Sequence, residues 1–446
     1  MKKVDVVIIG GSAAGPVAAI TARRQNKDAS IMLIRKETRV MIPCGIPYIF
    51  GTLGSPDKNV IPDAMLSSNG IELVIDEVTS VDKESKTLTT SGGKNVDYEK
   101  LIMAAGSLPI QPPIPGIDLG NVFPIWKDAD YLGKVQQVLN EAKDIVIIGG
   151  GFIGVEMADE CKKMTGANIS IVEILPHCLL LALDEGFCSM AEEKLTERGI
   201  RVIANNGVHA ILGNGKVQSV ELQNGDRLKA DAVIVGIGSA PNTELAAKAG
   251  LRIGETKAIW VDEHMMTSDD SIFACGDCAE KYSFFTKKPS GLRLASIATF
   301  EARIAGANVF GLRRKNPGVI GVFSTIVGSF ALSSAGLTEK AAKQLGFDVV
   351  TGEAAAPDRH PGSMPEAKQL KVKLIFNKGT GKLIGGEAWG GITTGEVANV
   401  IAMAIQNGMT AEQVALFQMG THPALTCSPI AYPIVNAAEM AVTKLR

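Results

Sequence analysis

The chain has 446 residues, enough for two to four domains at roughly 100–200 residues each. Its 45 lysines and arginines nearly balance 47 aspartates and glutamates, and the net charge of −2 gives no general pull toward nucleic acid or an anionic membrane. Seven cysteines, an odd number scattered over a long chain, exclude a secreted disulfide framework and fit a reducing compartment in which a redox cysteine is functional.

Lys2, Lys3 and the apolar Val6–Ile9 imitate the start of a signal peptide. Asp5 interrupts that run, and Gly10, Gly11 and Pro16 break it where an apolar core should continue. No apolar run is long and glycine-free enough to span a bilayer, so the expectation is a soluble, cytoplasmic protein with no membrane partner. Val4–Ile9 reads instead as a short, β-branched, fully buried strand. Gly10-Gly11-Ser12-Ala13-Ala14-Gly15 follows, and Ala18–Arg24 reads as a helix. Strand, glycine turn and helix together predict a dinucleotide site: Gly10 makes the turn, Gly15 permits close packing, and the pyrophosphate lies on the helix N-terminus. Pro16 is tolerable because first-turn N–H groups have no partner inside the helix. Ser12 replaces the middle glycine. The next strand, Ile31–Ile34, ends in Arg35 rather than an acid, with Glu37 two positions on, so the ribose ligand of this unit stays open.

Pro43-Cys44-Gly45-Ile46-Pro47-Tyr48 comes next, a thiol among residues that start a helix. Tyr98–Gly106 predicts a strand ending in small residues. Ser271–Asp277 predicts another, and Asp277 at its C-terminal end sits where a parallel sheet binds ligands. That placement suits the ribityl chain of FAD.

A second unit is better formed. Lys143–Ile148 is a strand, Gly149-Gly150-Gly151-Phe152-Ile153-Gly154 is an intact GxGxxG, and a helix runs from Val155. The strand Ile169–Val172 then leads to Glu173, roughly twenty residues beyond Gly154, where an acid binds the adenosine ribose. An acid there repels a 2′-phosphate, so NADH is preferred, with NADPH possible. Ala230–Gly238 closes the unit with a strand and a turn. Two such units suggest two dinucleotides, FAD on the first and a nicotinamide on the second.

The stretches VVIIGGSAAG, YEKLIMAAGSLP, IVIIGGGFIGVEMA, VIVGIGSAPN, IFACGDCA and ALSSAGLTEKAA cover most of the chain in one order. In them the sequence resembles the pyridine nucleotide-disulfide oxidoreductase superfamily. The resemblance implies an α/β protein with two Rossmann-like dinucleotide-binding domains and an α+β C-terminal dimerisation domain. The implied borders are 1–113 and 245–325 for FAD, 114–244 for NAD(P)H and 326–446 for the dimer, with an active site shared between subunits. It places Ala104-Ala105-Gly106 at the family's alanine-threonine-glycine motif. Pro43, Val78, Ala295, Ile153, Glu156 and Gly238 complete the expected cofactor contacts, and Phe152 holds the position where the family often has an aromatic gate over the flavin.

Classical members carry CxxxxC. Here the position five after Cys44 is Ile49, so the chain resembles the single-cysteine group: coenzyme A disulfide reductases, persulfide or polysulfide reductases, NADH oxidases and peroxidases. The oxidases and peroxidases carry a histidine in the first glycine turn; Ala13 stands there instead. The resemblance therefore points to the coenzyme A disulfide and persulfide branch, with an NADH oxidase as the alternative. A lone thiol stores two electrons as a sulfenate or as a mixed disulfide with a small thiol. The expectation is the mixed disulfide, reduced by NADH through FAD, with the thiolate favoured by a helix starting at Gly45–Pro47. An electron-transfer subunit for a protein partner is a third reading, but no concentrated charge run offers a docking patch.

Arg23, Arg24 and Lys27 stand where coenzyme A relatives place basic residues for phosphates, and equally suit a solvated helix C-terminus. Tyr48 lies beside the thiol. Cys275 and Cys278 form a single CxxC inside the FAD motif, so packing is expected there rather than a metal site. Near the C-terminus, Leu370–Phe376 and Lys382–Ala388 read as a hairpin, Thr394–Asn407 as an amphipathic helix, and Thr410–Gln413 as a capping box. His422-Pro423 resembles the pair that the family reaches across the dimer to exchange protons with the redox thiol. Tyr432 is the tyrosine alternative for that role. Cys427 is a candidate second sulfur carrier, and His360 a weaker candidate near the substrate channel.

Overall fold

The computed structural model describes residues 2–446, apart from the side chain of Lys2. The chain divides into two compact units. The first comprises the chain up to Pro112 with Phe123–Glu141 and Gly238–Val319; the second comprises Pro113–Val122, Ala142–Ile237 and Ile320–Arg446.

In the first unit the strand Lys2–Ile9 runs parallel to Ile31–Arg35 on one side and to Asn95–Met103 on the other, with Val6 opposite both Ile31 and Lys100. The order is Glu72–Ile75, Ile31–Arg35, Lys2–Ile9, Asn95–Met103, Thr87–Thr90, Val78–Asp82, and Ile272–Ala274 also pairs with Asn95–Met103. The central strands carry Val6, Val7, Ile8, Leu33 and Leu101, each fully buried. Continuous burial of both faces explains why they read as unbroken apolar runs. The first helix spans Ala14–Gln25, four residues earlier than the apolar pattern alone suggested. Its early start reflects the glycine turn: a Cβ on Gly15 would sit 1.8 Å from the carbonyl oxygen of Gly10, so only glycine lets the first turn close against the strand end.

The expected borders put 123–141 in the nicotinamide domain, yet this segment groups with the first unit. Side chains account for it. Gln136 Nε2 donates to the carbonyl of Ile49 at 2.8 Å, Lys127 Nζ donates to Ser107 Oγ at 3.1 Å, and Arg39 forms an ion pair with Asp130.

In the second unit the strands Ile200–Ile203, Asn168–Val172, Asp144–Ile148 and Ala232–Val235 lie parallel in that order. A five-stranded antiparallel sheet follows, ordered Val322–Val327, Phe330–Gly336, Leu383–Gly390, Gln369–Asn377, Val349–Pro357. The expected hairpin about Asn377–Gly381 is the Gln369–Asn377/Leu383–Gly390 pair. The helix Thr394–Gln406 has its expected span within one residue. Thr410 and Gln413 make a reciprocal capping box at the head of Ala411–Ala415. The last helix, Pro433–Leu445, crosses Val349–Pro357 so closely that a Cβ on Gly352 would meet the Ala437 carbonyl oxygen at 1.8 Å.

Loop and sheet of this unit are joined by a polar cluster of the buried Lys373 and Glu387 with the half-buried Asp184 and Glu339. Lys373 Nζ lies 2.9 Å from Asp184 Oδ2 and 2.7 Å from Glu339 Oε2, and Glu387 Oε1 accepts the Asp184 N–H at 2.6 Å. Burial, then the nearby Asp184 charge, pushes the Glu387 carboxyl up to about 8.

Candidate active site

Pro43 and Pro47 each open a short 3₁₀ turn, Pro43–Gly45 and Pro47–Phe50, where a longer helix was expected. Proline fixes φ for a first turn and cannot donate to a preceding one, so the segment advances as two turns rather than one continuous helix. Two such turns do not build a helix dipole at the thiol, and the expected help from one is withdrawn. What the segment gains is rigidity. Asn59, almost fully buried, donates from Nδ2 to the Ile42 carbonyl at 2.9 Å, and the Ile42 N–H donates to the Asn59 carbonyl at 2.9 Å. A Cβ on Gly45 would fall 2.0 Å from Asn59 Oδ1, which explains the glycine beside the thiol. Ile46, Ile49 and Phe50 are buried beneath, while Cys44 is exposed. The other six cysteines are all buried.

The first glycine turn lies in the same unit. Gly10 has φ +110°, and a Cβ there would reach the Ala104 carbonyl oxygen at 2.2 Å. The helix after it has no side-chain cap, which leaves its leading N–H groups without a side-chain acceptor, as an anion site requires. Ser12 and Ala13 are half-buried, Ala14 and Gly15 buried, and Ala105 and Gly106 half-buried at the end of the neighbouring strand. Asp277 stands on the 3₁₀ turn Gly276–Cys278 and accepts from Ser107 Oγ at 2.7 Å, with Lys127 Nζ 3.7 Å away. Ser107 and Lys127 were not among the expected site residues; nothing local in the sequence links 107 or 127 to 277.

Arg35, at the strand end where an acid was expected, does not face outward. Its buried guanidinium pairs both nitrogens with Asp63, at 2.7 and 2.8 Å, and Nε donates to the Glu37 carbonyl at 2.9 Å. Its aliphatic stem packs under Gly11, where a Cβ would meet Arg35 Cδ at 2.4 Å. Arg35 therefore shapes the turn from below, with the Glu37 carbonyl holding its Nε. Val78 and Ala295 are half-buried, Ala295 at the head of the helix Ala295–Asn308. Arg23 commits four donors to the carbonyls of Asn69, Lys27, Ala29 and Gly70 at 2.7–3.1 Å, which locks the helix end to a loop. Arg24 and Lys27 remain exposed, and Tyr48 is half-buried.

In the second unit the turn Gly149–Gly154 repeats the design. A Cβ on Gly154 would meet the Gly149 carbonyl oxygen at 1.9 Å, and the helix Phe152–Met164 has no side-chain cap. Glu173 is buried at the strand end. It accepts from the Gly150 N–H at 2.5 Å and the Leu175 N–H at 2.7 Å, which aims the carboxylate at the turn. Gly151 and Ile153 are exposed at this edge, and Gly238, the first residue of the last segment of the first unit, is exposed as well. Phe152 stacks on Phe323 with centroids 5.1 Å apart and planes within 6°. Glu156, one turn on, accepts from Thr325 Oγ1 at 3.0 Å, and burial pushes its carboxyl up to about 7.

Near the C-terminus, His422 is exposed and Tyr432 half-buried, its hydroxyl pKa raised by burial and then by Cys427. Cys427 is buried, and burial pushes its thiol up to about 11, so at neutral pH it is a thiol rather than a nucleophilic thiolate. His360 Nδ1 lies 3.0 Å from the Thr426 carbonyl oxygen, and the His360 backbone N–H donates to the Pro423 carbonyl at 3.0 Å. It braces the loop that carries His422. Cys275 and Cys278 are buried thiols, and Cys278 Sγ donates to the Met103 and Cys275 carbonyls.

A family model described as pyridine nucleotide-disulphide oxidoreductase matches residues 4–302, and the dimerisation domain of the same family matches residues 322–429. The chain belongs to the pyridine nucleotide-disulphide oxidoreductase family. Oxidases and sulfur reductases are both among its relatives. An NADH oxidase of Methanocaldococcus jannaschii is 32% identical over 98% of this chain and 99% of its own length. An NAD(P)H coenzyme A polysulfide/persulfide reductase of Pyrococcus horikoshii is also 32% identical, over 99% and 98%. Among solved structures, an NAD-dependent persulfide reductase from A. fulgidus superposes with a TM-score of 0.90 at 34% identity, covering 99% of this chain and 83% of that one. A pyridine nucleotide-disulphide oxidoreductase works with FAD and NAD(P)H. Both cradles fit such groups: each pairs glycines whose Cβ positions are blocked with a helix whose N-terminal N–H groups lack a side-chain cap. Among the described residues no helix is long and apolar enough to cross a membrane.

Proposed function

We propose that the chain is an FAD-dependent reductase that uses NADH to reduce low-molecular-weight disulfides, persulfides or polysulfides, coenzyme A derivatives among them, through a mixed disulfide at Cys44. The observation that carries this reading is that Cys44 is the one exposed thiol among the described residues, while Ile49, at the position of a resolving cysteine, is fully buried. With no second accessible thiol, the sulfur that closes the cycle belongs to the substrate.

The Cys44 thiolate attacks one sulfur of R–S–S–R; the Cys44–S–S–R bond forms and one thiolate leaves. Two electrons then break that bond, releasing the second thiolate and restoring Cys44. Those two electrons are the chemistry that FAD would supply when bound, with NADH as their source. The residues under the thiol hold it still during both steps: Asn59 and Gln136 fix the backbone at Ile42 and Ile49. Asp277, Ser107 and the first glycine turn bind and orient the flavin. Glu173 and the second turn bind the nicotinamide nucleotide, and the carboxylate repels a 2′-phosphate. Arg24 and Lys27 offer cations to the phosphates of a coenzyme A substrate. His422 and Tyr432 of a second copy exchange the proton with the leaving thiol, in a homodimer formed through 326–446. In the same reading 1–113 and 245–325 hold FAD and 114–244 the nicotinamide.

Anaerobic NADH consumption tests this. Coenzyme A disulfide, coenzyme A persulfide, polysulfide and glutathione disulfide are offered in turn. Turnover with at least one of them, with NADPH at least about tenfold less efficient than NADH, is expected. Turnover with oxygen alone would replace this reading with the NADH oxidase.

A further inference from the structure

Beneath the turn that presents Asp277 lies an ion pair outside the expected site residues. The side chains of Lys281 and Glu301 are 2% and 0% exposed, and Lys281 Nζ is 3.3 Å from Glu301 Oε2. Lys281 also donates to the carbonyls of Gly276 at 2.6 Å and Ala279 at 3.0 Å, so all three ammonium protons have acceptors. Glu301 Oε2 accepts the Gly276 N–H at 2.9 Å. The pair thus grips the backbone on both sides of Asp277. Gly276 has φ +79°, and a Cβ there would come within 3.0 Å of Ala14 Cβ, so the turn sits hard against the head of the first helix.

Such a pair is costly to desolvate, and well-packed apolar residues commonly give equal or greater stability. Glu301 Oε1 is buried with no partner, so the carboxyl is not optimised for stability either. Its geometry is spent on the turn. From above, Ser107 Oγ and Lys127 hold the Asp277 carboxylate; from below, Lys281 and Glu301 hold its backbone.

We propose that Lys281 and Glu301 are a positioning pair that fixes the Gly276–Cys278 turn, so that Asp277 meets FAD in one orientation and the flavin is retained. This rests on Asp277 being a flavin contact.

The test is the rate at which full-length holoenzyme releases FAD after dilution, followed by flavin fluorescence. Lys281→Met with Glu301→Leu removes both charges together. Its unfolding midpoint by circular dichroism should stay near that of the parent, while FAD leaves at least about tenfold faster. Asp277→Ala alone should speed release to a similar extent. Combining it with the double variant should add little, because both act through one contact. Parent-like retention by the double variant, or effects that multiply when combined, would overturn the proposal. Should the double variant not fold, Glu301→Gln keeps the shape and the Gly276 acceptor without the charge; release several-fold faster supports the pair, and parent-like release overturns it. A parent protein purified without flavin would sink the cofactor reading and the pair's role with it. A flavin-bearing parent with an unaltered variant sinks the pair's role alone.

Discussion

Replacing Cys44 by serine abolishes NADH-driven reduction of small disulfides and persulfides, by roughly a thousandfold or more, because the nucleophile and the electron-accepting sulfur are the same atom. Slow NADH consumption with oxygen persists, since it needs flavin and nicotinamide but no thiol. Flavin content stays at the parent level: the Cys44 side chain is exposed, and the turn around it is fixed by Asn59, Gly45 and the buried Ile46, Ile49 and Phe50. The comparison is a stopped anaerobic assay on parent and variant, followed by an oxygen electrode. Retention of disulfide reduction in the variant would remove Cys44 from the chemistry. Of the buried cysteines, Cys427 would be the next to test, although its thiol is held in the neutral form.

Two alanine substitutions separate the nucleotide sites. In Gly15→Ala the new Cβ would lie 1.8 Å from the Gly10 carbonyl oxygen, and in Gly154→Ala 1.9 Å from that of Gly149. These are backbone atoms, so neither clash is relieved by a side-chain rotation; the helix must move off its strand. Overpacking of this kind costs typically about 1–3 kcal/mol and displaces the helix N-terminus that each anion needs. Gly15→Ala is expected to purify with its flavin absorbance reduced to about a tenth or less of the parent's. Gly154→Ala is expected to keep its flavin yet need roughly tenfold to a hundredfold more NADH for half-maximal rate. Loss of flavin in Gly154→Ala rather than Gly15→Ala would exchange the two assignments.

The glycine turns were legible in the sequence because their requirement is local: a positive φ at Gly10 and a blocked Cβ at Gly15 can be met by no other residue. Glu173 was legible for the same reason, as a strand end at a fixed distance from the turn. The C-terminal hairpin and the Thr410–Gln413 box are likewise short-range patterns. What stayed hidden depends on partners far along the chain. The part played by Arg35 stayed open because Asp63, its bidentate partner, lies on a different segment. The Lys281–Glu301 pair and the Ser107–Lys127–Asp277 contacts join residues that no periodicity connects. Arg23 suited a phosphate or a solvated helix end equally well, and its donors go to a loop around Gly70 that the sequence does not link to it. At Cys44, two prolines suggested the start of a helix; their spacing instead divides the segment into two 3₁₀ turns. Strands such as Val78–Asp82 and Thr87–Thr90, rich in threonine, serine and aspartate, carry no apolar alternation and were missed.

The role of the thiol is tested most directly by trapping its adduct. The protein is incubated without NADH with coenzyme A disulfide, coenzyme A persulfide or polysulfide in turn, denatured in acid and weighed intact, then mapped by peptide. The expected result is a sulfur-linked adduct on Cys44 with at least one of these substrates, lost on addition of NADH and absent from Cys44→Ser. If none of them leaves sulfur on Cys44, or if the adduct forms equally in Cys44→Ser, the thiol is not the acceptor of the substrate's sulfur.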